Sequence, residues 1–478
     1  MRWSFLGLGS WICLLATASW CEAQAWPPAR ATAGVNDTYC FGCPPEALSG
    51  LHPHPAEELI TLAKSHRPEL RQAIEETYPE KAIELGRVWS GHLHDFFFVV
   101  KASARPDLIF DDQPEPQMQP LKGTDMWVAV VHVEQLGTLH DFHYRQQGEN
   151  FGGAAWNVAA FTELSYPLEG APHGQLSQMR TLTSKVFDGV ENDYCVYVPA
   201  GYDPRIPAAV TVVLDGGTLL LQQGGSSILD VVDNLIYLKK IPMMLLVFLD
   251  PGRIGATAPG PLADEVRELA ASRRWPPAQA MRSVQEDVIS DAYPRLLRDE
   301  LFPEIAAHYS LRKDGYSHAI MGLSSGGLAA FNTAWKMPDD FSRVICGIGS
   351  FVSLQWKTHV GAADGGQDYP DKVLEEQHRN LRVWIEDGSG DLESDQYGSW
   401  PLNNLRMSNA LKLKGYDFHL SFGKGGHGPE QIEVQFPEEL IWLWRDYDAA
   451  KTQQEFDQDA GEKAQPIFRV GVVNRDAE

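Results

Sequence analysis

The pattern of apolar and polar positions changes character along this chain, and each change predicts a different kind of element. Residues 56–85 carry Glu, Leu, Ala and Lys at helical spacing, with Pro68 and Pro79 as interruptions, so they predict short helices. From Val88 to Tyr166 the runs "HDFFFVVKA", "DLIFDD", "DMWVAVVHV" and "LHDFHYRQ" are short, β-branched and aromatic, with Pro, Gly and Asp between them. That spacing predicts a small antiparallel β-sandwich.

From about Gln178 the elements alternate. "DYCVYVP" and "AVTVVLD" predict strands, and "SILDVVDNLIYLKK" predicts an amphipathic helix. "IPMMLLVFLD" is almost wholly apolar, as expected of a strand covered on both faces. "VISDAYPRLLRDELFPEIAAHY" predicts a long helix despite Pro294 and Pro303. "SHAIMGL", "SRVICGIGSF", "NLRVWIED" and "YDFHLSF" predict further strands, with helices beginning near Gly326, Leu402 and Pro437. Such alternation gives an α/β class, with a mostly parallel sheet and helices on both faces. The tail after Tyr447 is polar and predicts a loosely held segment in which "PIFRVGVV" can dock.

These changes divide the chain into 1–25, a helical and irregular lead-in at 26–87, the sandwich at 88–166, the α/β domain at 178–448 and the tail at 449–478. The first segment has the order of an export signal. Arg2 precedes an apolar stretch from Trp3 to Ala18, and Ala23-Gln24-Ala25 gives the small-x-small cleavage pattern. Export to the periplasm or the cell exterior follows. Of six cysteines, Cys13 and Cys21 leave with that segment, and Cys40-Phe41-Gly42-Cys43 reads as a structural disulfide in an oxidising compartment. Asn36-Asp37-Thr38 is a formal glycosylation sequon. A hydrophobic share of 44% supports a real core, and a net charge of −24 argues against a nucleic-acid partner. No apolar stretch in the body of the chain reaches transmembrane length.

The candidate chemistry begins at Gly322-Leu323-Ser324-Ser325-Gly326, a G-x-S-x-G between a buried strand and a helix. In that context the pattern is a nucleophile elbow, with small residues at the crowded turn and the helix N-terminus behind the serine. Triad order then requires an acid and a later histidine. His427 lies in "SFGKGGHGPE", a glycine-rich loop after a strand, whereas His419 sits inside the alternating strand before it. Asp387 closes the strand "NLRVWIED" and Asp391 lies in the loop beyond; the loop position favours Asp391, with Asp387 as the alternative. Ser325 supplies one oxyanion N–H, and the turn Asp215-Gly216-Gly217 after "AVTVVLD" supplies a second, at Gly217.

With these residues in place, the sequence resembles the α/β-hydrolase esterase family that includes the enterochelin and feruloyl esterases. The resemblance covers roughly residues 88–447 and is strongest in "DGYSHAIMGLSSGGLAAFNTAWKMPDDFSRVICGIGSF", "LRVWIEDGSGDLES" and "LIWLWRDY". It implies a nucleophile at Ser324, an acid at Asp391 in Gly388-Ser389-Gly390-Asp391, a base at His427, and an immunoglobulin-like domain at the β-rich stretch. Two departures fall where substrate would be contacted. Arg282 is followed by Ser283-Val284-Gln285-Glu286 rather than the family's R-x-x-E with an aromatic, and the loop after His427 runs directly into Gly428-Pro429.

Arg282 and Trp400 are the candidate substrate-binding residues; Trp400 and Trp356 fit either a pocket wall or the core. His92-Leu93-His94 and His140-Asp141-Phe142-His143 carry paired histidines, but no acidic or cysteine ligand set completes a metal site. The reading is an exported serine ester hydrolase needing no metal or organic cofactor, acting on a small-molecule or carbohydrate-linked ester, with the sandwich as a cap. Two alternatives share the chain: an acyltransferase with the same triad, and a non-catalytic binding protein.

Overall fold

The structure is a computed structural model, and it describes residues 38–40, 47, 50–217, 228–254, 260–355, 365–467 and 469–475. The export segment, Asn36, Cys43 and Trp356 lie outside the described residues, and so does the test of a Cys40–Cys43 bridge.

The N-terminal half is built from strand β1 (Thr38–Cys40), helices α1 (Ala56–Lys64), α2 (Leu70–Thr77) and α3 (Glu80–Glu84), and strands β2 (Val88–His92), β3 (Asp95–Lys101), β4 (Asp107–Phe110), β5 (Gln113–Pro114), β6 (Gln119–Pro120), β7 (Met126–His132), β8 (Thr138–Gln146) and β9 (Glu149–Ala160). They form two antiparallel sheets, ordered β1-β2-β3-β7-β6 and β5-β4-β8-β9. The period-2 pattern decides what lies between them. Phe96, Phe98 and Val100 of β3 meet Leu108 and Phe110 of β4 and Phe142 and Tyr144 of β8 in one core. The intervening residues Phe97 and Val99 point to the other face, where Leu59, Ile60, Leu70, Ile74 and Ile83 of α1–α3 cover them. The lead-in therefore supplies a third layer, and β3 is apolar on both faces because both are covered. Strand β9 carries no readable signal in the sequence, because "FGGAAWNVAA" is dominated by small residues.

The second half contains β10 (Gln175–Leu176), β11 (Arg180–Thr183), β12 (Glu191–Val198), β13 (Ala209–Leu214), α4 (Ile228–Tyr237), β14 (Met244–Leu249), α5 (Pro261–Arg273), α6 (Pro277–Glu286), β15 (His318–Leu323), α7 (Ser325–Lys336), β16 (Arg343–Gly347), α8 (Tyr369–Glu375) and β17 (Arg382–Gly388). A small hairpin of β18 (Glu393–Ser394) and β19 (Gly398–Ser399), then α9 (Trp400–Lys414), β20 (Asp417–Gly423), α10 (Glu430–Leu443), α11 (Ala460–Ala464) and β21 (Val472–Asn474) complete it. The 10-stranded sheet runs β10-β12-β14-β13-β15-β16-β17-β20-β21, with β11 also on β12. β12 is antiparallel to β14, and every pair from β14 to β21 is parallel.

The apolar runs have a physical reason. Val210, Val212 and Leu214 of β13 face one core with α6, α7 and α9, while Ala209 and Val213 face another with α4 and α10. The mixed α/β architecture, an all-β region followed by an α/β-hydrolase sheet, is as expected. The predicted long helix is Ala292–Arg295, Leu296–Leu301 and Phe302–Ala306 end to end, with the middle piece π-helical. Pro437 lies inside α10 rather than at its start.

The polar tail is held more firmly than its composition suggests. β21 pairs with β20 as an edge strand, Lys412 and Glu462 form a buried ion pair at 2.7 Å, and Arg475 bridges to Glu438 at 2.6 Å. Among the described residues no helix is long and apolar enough to cross a membrane.

Candidate active site

Ser324 ends β15 and caps α7 with φ 57° and ψ −119°, a left-handed conformation that a side chain adopts only when the surrounding contacts enforce it. The glycines explain how. A Cβ at Gly322 would lie 2.4 Å from the Gly326 carbonyl oxygen, and one at Gly327 would lie 2.9 Å from the Gly347 carbonyl oxygen. Strand, turn and helix approach too closely for any other residue. The N–H of Ser324 is tied to Gly347 O at 3.0 Å, which fixes the elbow to β16.

The loops after β17 and β20 bring the other two groups to the same carboxyl edge of the sheet. Ser324 Oγ is 2.8 Å from His427 Nε2, and His427 Nδ1 is 2.5 Å from Asp391 Oδ1. Because a carboxylate only accepts, Nδ1 carries the proton and Nε2 is left to accept from the serine hydroxyl. Asp391 also accepts the Leu392 N–H at 2.5 Å, and its side chain is fully buried. His419 is elsewhere. It stacks on Trp384 at 4.1 Å, and burial, then Arg475, push its imidazole down to about 4.

Ser325 is the first residue of α7, where a backbone N–H has no intrahelical acceptor, so it can serve an oxyanion. Gly217 departs from expectation. Its N–H donates to Asp250 Oδ1 at 2.7 Å, so the donor assigned from the sequence is spent inside the protein. The cause is the sheet order: β14 lies beside β13 in register Leu214↔Leu249, which sets Asp250 against the turn 215–217. Burial, opposed by that hydrogen bond, raises the Asp250 carboxyl to about 6.

The family model described as "Putative esterase" matches residues 189–443, more than half of the chain. The chain belongs to this esterase family. No protein of curated function matches it. Its solved structural neighbours include the ferric enterobactin esterase from Salmonella typhimurium, at 14% identity and TM-score 0.47, covering 73% of this chain and 93% of that one. The enterobactin esterase from Shigella flexneri with 2,3-dihydroxy-N-benzoyl-serine is 15% identical at TM-score 0.46, over 75% and 95%. The ferulic acid esterase from Anaeromyces mucronatus is 17% identical at TM-score 0.43, over 60% and 96%.

Around Ser324, His427 and Asp391, the esterase holds its remaining candidate residues as supports. Arg282 forks onto Asp215 through Nε at 2.9 Å and Nη2 at 2.6 Å, and Nη2 also reaches the Leu323 carbonyl at 3.2 Å. Its guanidinium therefore braces Leu323, the residue before Ser324, instead of standing open to substrate. Glu286 and Asp287 complete this buried group; Asp287 Oδ2 accepts from Ser283 Oγ at 2.5 Å, and burial raises its carboxyl to about 6. Trp400 is only 4% exposed, so it is not an open stacking platform. Its ring meets the His427 imidazole edge-on at 5.5 Å, and its Nε1 donates to Ser350 Oγ at 3.1 Å. Ser350 is a residue the sequence reading missed. Its Oγ is 3.2 Å from Ser324 Oγ, and its only sequence signal is a place just beyond β16, a strand that ends at the active edge.

The paired histidines serve the sandwich. His94 Nδ1 bonds the Val133 carbonyl at 2.7 Å, His92 pairs with Glu57 at 2.8 Å, and His140 Nδ1 bonds Asp111 at 2.6 Å. Asp111 and Asp141 also hold Lys424, at 3.3 and 3.2 Å, in the loop that carries His427. The sandwich thus grips the His427 loop from its flank. Among the described residues, three metal-capable groups converge at His173, Asp230 and Asp233, where Asp233 is already bonded to Tyr197 and to the Gly174 N–H.

Proposed function

We propose that the esterase hydrolyses carboxylic esters through an acyl-enzyme on Ser324. The observation that carries this reading is the hydrogen-bonded chain from Ser324 Oγ through His427 to Asp391, at 2.8 and 2.5 Å. Ser324 Oγ attacks the ester carbonyl as its proton passes to His427 Nε2, and Asp391 stabilises the imidazolium. The Ser325 N–H donates to the oxyanion. His427 then returns the proton to the departing alkoxide, and a water, deprotonated by the same nitrogen, releases the acid. The intact chain of donors and acceptors favours catalysis over a binding role.

Export and an immunoglobulin-like fold for the sandwich belong to the same proposal. Arg2, the apolar stretch to Ala18 and Ala23-Gln24-Ala25 support export. The two facing antiparallel sheets support the sandwich assignment. The test is hydrolysis of p-nitrophenyl acyl esters, methyl ferulate and a catecholate siderophore ester, with Ser324→Ala as the blank. Acid release above that blank is expected for at least one. Equal release by both proteins with every ester would overturn the reading.

A further inference from the structure

Beyond β16 the chain bends sharply and returns to Ser324. Ile348 sits at φ 42°, a conformation that a β-branched residue adopts only under constraint. The bend sets residues 347–350 against the backbone of Ser324. Ser324 N–H donates to Gly347 O, and Ser350 N–H donates to Ser324 O, each at 3.0 Å. Ser350 is 0% exposed, and its Oγ lies 3.2 Å from Ser324 Oγ and 3.1 Å from Trp400 Nε1.

The available protons decide which hydroxyl donates. The Trp400 indole N–H can only donate, so Ser350 Oγ accepts it. The single hydroxyl hydrogen of Ser324 goes to His427 Nε2, because the proton on Nδ1 is committed to Asp391. The hydrogen between the two serines is therefore that of Ser350. We propose that Ser350 is a hydrogen-bond donor to the reacting oxygen of Ser324, anchored by Trp400. With one lone pair of Ser324 Oγ accepting from Ser350, the other is left for the ester carbonyl. At 3.2 Å the contact is long for two hydroxyls, as catalytic hydrogen bonds often are before substrate binds.

The two halves of the reaction use this donor unequally. In the free protein Ser324 Oγ is a hydroxyl, already a good acceptor, so attack on the ester changes the bond little. In the acyl-enzyme Oγ is an ester oxygen, a poor acceptor. Water adds to the acyl carbon as His427 Nε2 takes its proton. The C–Oγ bond then breaks, its electron pair goes to Oγ, and His427 returns the proton there. Ser350 keeps its own proton and stabilises Oγ as charge builds, so its contribution falls mainly on deacylation.

Ser350 acts only if Ser324 reacts, so the proposal rests on the serine reading. The experiment is stopped-flow hydrolysis of p-nitrophenyl acetate by the full-length protein, where the p-nitrophenol burst reports acylation and the steady phase deacylation. Ser350→Ala should slow the steady phase by about 10- to 100-fold, the worth of one hydrogen bond to a charged oxygen, and the burst much less. Acetylated Ser324 should then accumulate and be seen by mass spectrometry. Trp400→Phe keeps the ring and removes the N–H, and its loss should be smaller. The double variant should turn over no more slowly than Ser350→Ala, since the indole N–H acts through Ser350. It should also melt above Ser350→Ala, whose buried indole N–H has lost its acceptor. Native turnover in Ser350→Ala, equal slowing of both phases, or additive losses in the double variant would overturn the proposal. A native Ser324 that takes neither the acetyl group nor a fluorophosphonate would instead overturn the serine reading.

Discussion

Two groups of buried carboxyls sit at the carboxyl edge of one sheet, and they are compensated in different ways. Beyond β13 and β14, Asp215 is clamped by the Arg282 guanidinium, with Glu286 in ion-pair contact at 3.0 Å. Beyond β17, among the described residues, no arginine or lysine hydrogen-bonds Asp387 or Asp391, and the partner of Asp391 is an imidazole. The reaction gives this difference a meaning. In the proposed serine mechanism a positive charge would develop on His427, beside the group left without a fixed cation, and a negative charge at the Ser325 N–H, on the side where Arg282 already cancels Asp215. A preorganised asymmetry of this kind favours the charge-separated transition state at little cost of reorganisation.

The comparison breaks most visibly at its reacting centre. Ser324→Ala should lower kcat by roughly 10³-fold or more, and Asp391→Asn by about 10²–10⁴-fold, because loss of either is a transition-state loss. Steady-state kinetics on correctly folded variants checks both. Turnover of Asp391→Asn within threefold of native would mean that the uncompensated carboxylate does not serve the imidazolium.

At the compensated corner the loss should appear in stability. Arg282→Met leaves Asp215 buried without its cation, and breaking a buried pair from one side costs about 3–5 kcal/mol. The urea midpoint should fall accordingly, and an additional Asp215→Asn should restore part of it. A midpoint unchanged by Arg282→Met would show that the guanidinium is not what makes the acid tolerable there.

A smaller effect sharpens the picture at the other corner. Burial first, then the charge of Asp391, push the Glu386 carboxyl up to about 8, and both its oxygens lack donors. An ordinary glutamate in the unfolded chain titrates near about 4.3. Between those values the folded state holds a proton that the unfolded state has lost, so this residue makes stability fall as pH rises from about 5 to 8. Glu386→Gln should remove that slope, raising Tm relative to native more at pH 8 than at pH 5. An equal Tm difference at both pH values would contradict the assignment.

What the sequence made legible was local. The run 244–249 reads as a strand because both of its faces are covered, and the elbow reads because its glycines are demanded by contacts within a few residues. Asp391 and His427 could be proposed as partners of Ser324 because triad order and loop position are one-dimensional facts, and the three side chains lie within hydrogen-bonding distance in the order Ser324–His427–Asp391. The engagement of the Gly217 N–H by Asp250 was not legible, since it depends on β14 lying beside β13 across a crossover. Trp400 could be read as wall or core because an aromatic ring suits both; its burial against Ser350 and His427 is decided by the sandwiching of α9 on the sheet. Helices α5 and α6 escaped because their Arg, Ala and Pro content blurs the apolar stripe, and β21 because three residues carry no period. Lys424 is legible only once two regions of the chain are placed side by side.

The most direct test of the account is covalent. Full-length esterase treated with a fluorophosphonate and mapped by peptide mass spectrometry should carry one adduct, on Ser324. Ser324→Ala should carry none, and His427→Ala should react far more slowly because the hydroxyl has lost its base. An adduct on another residue, or unimpaired ester hydrolysis in a preparation whose Ser324 stays unlabelled, would contradict the account at its centre.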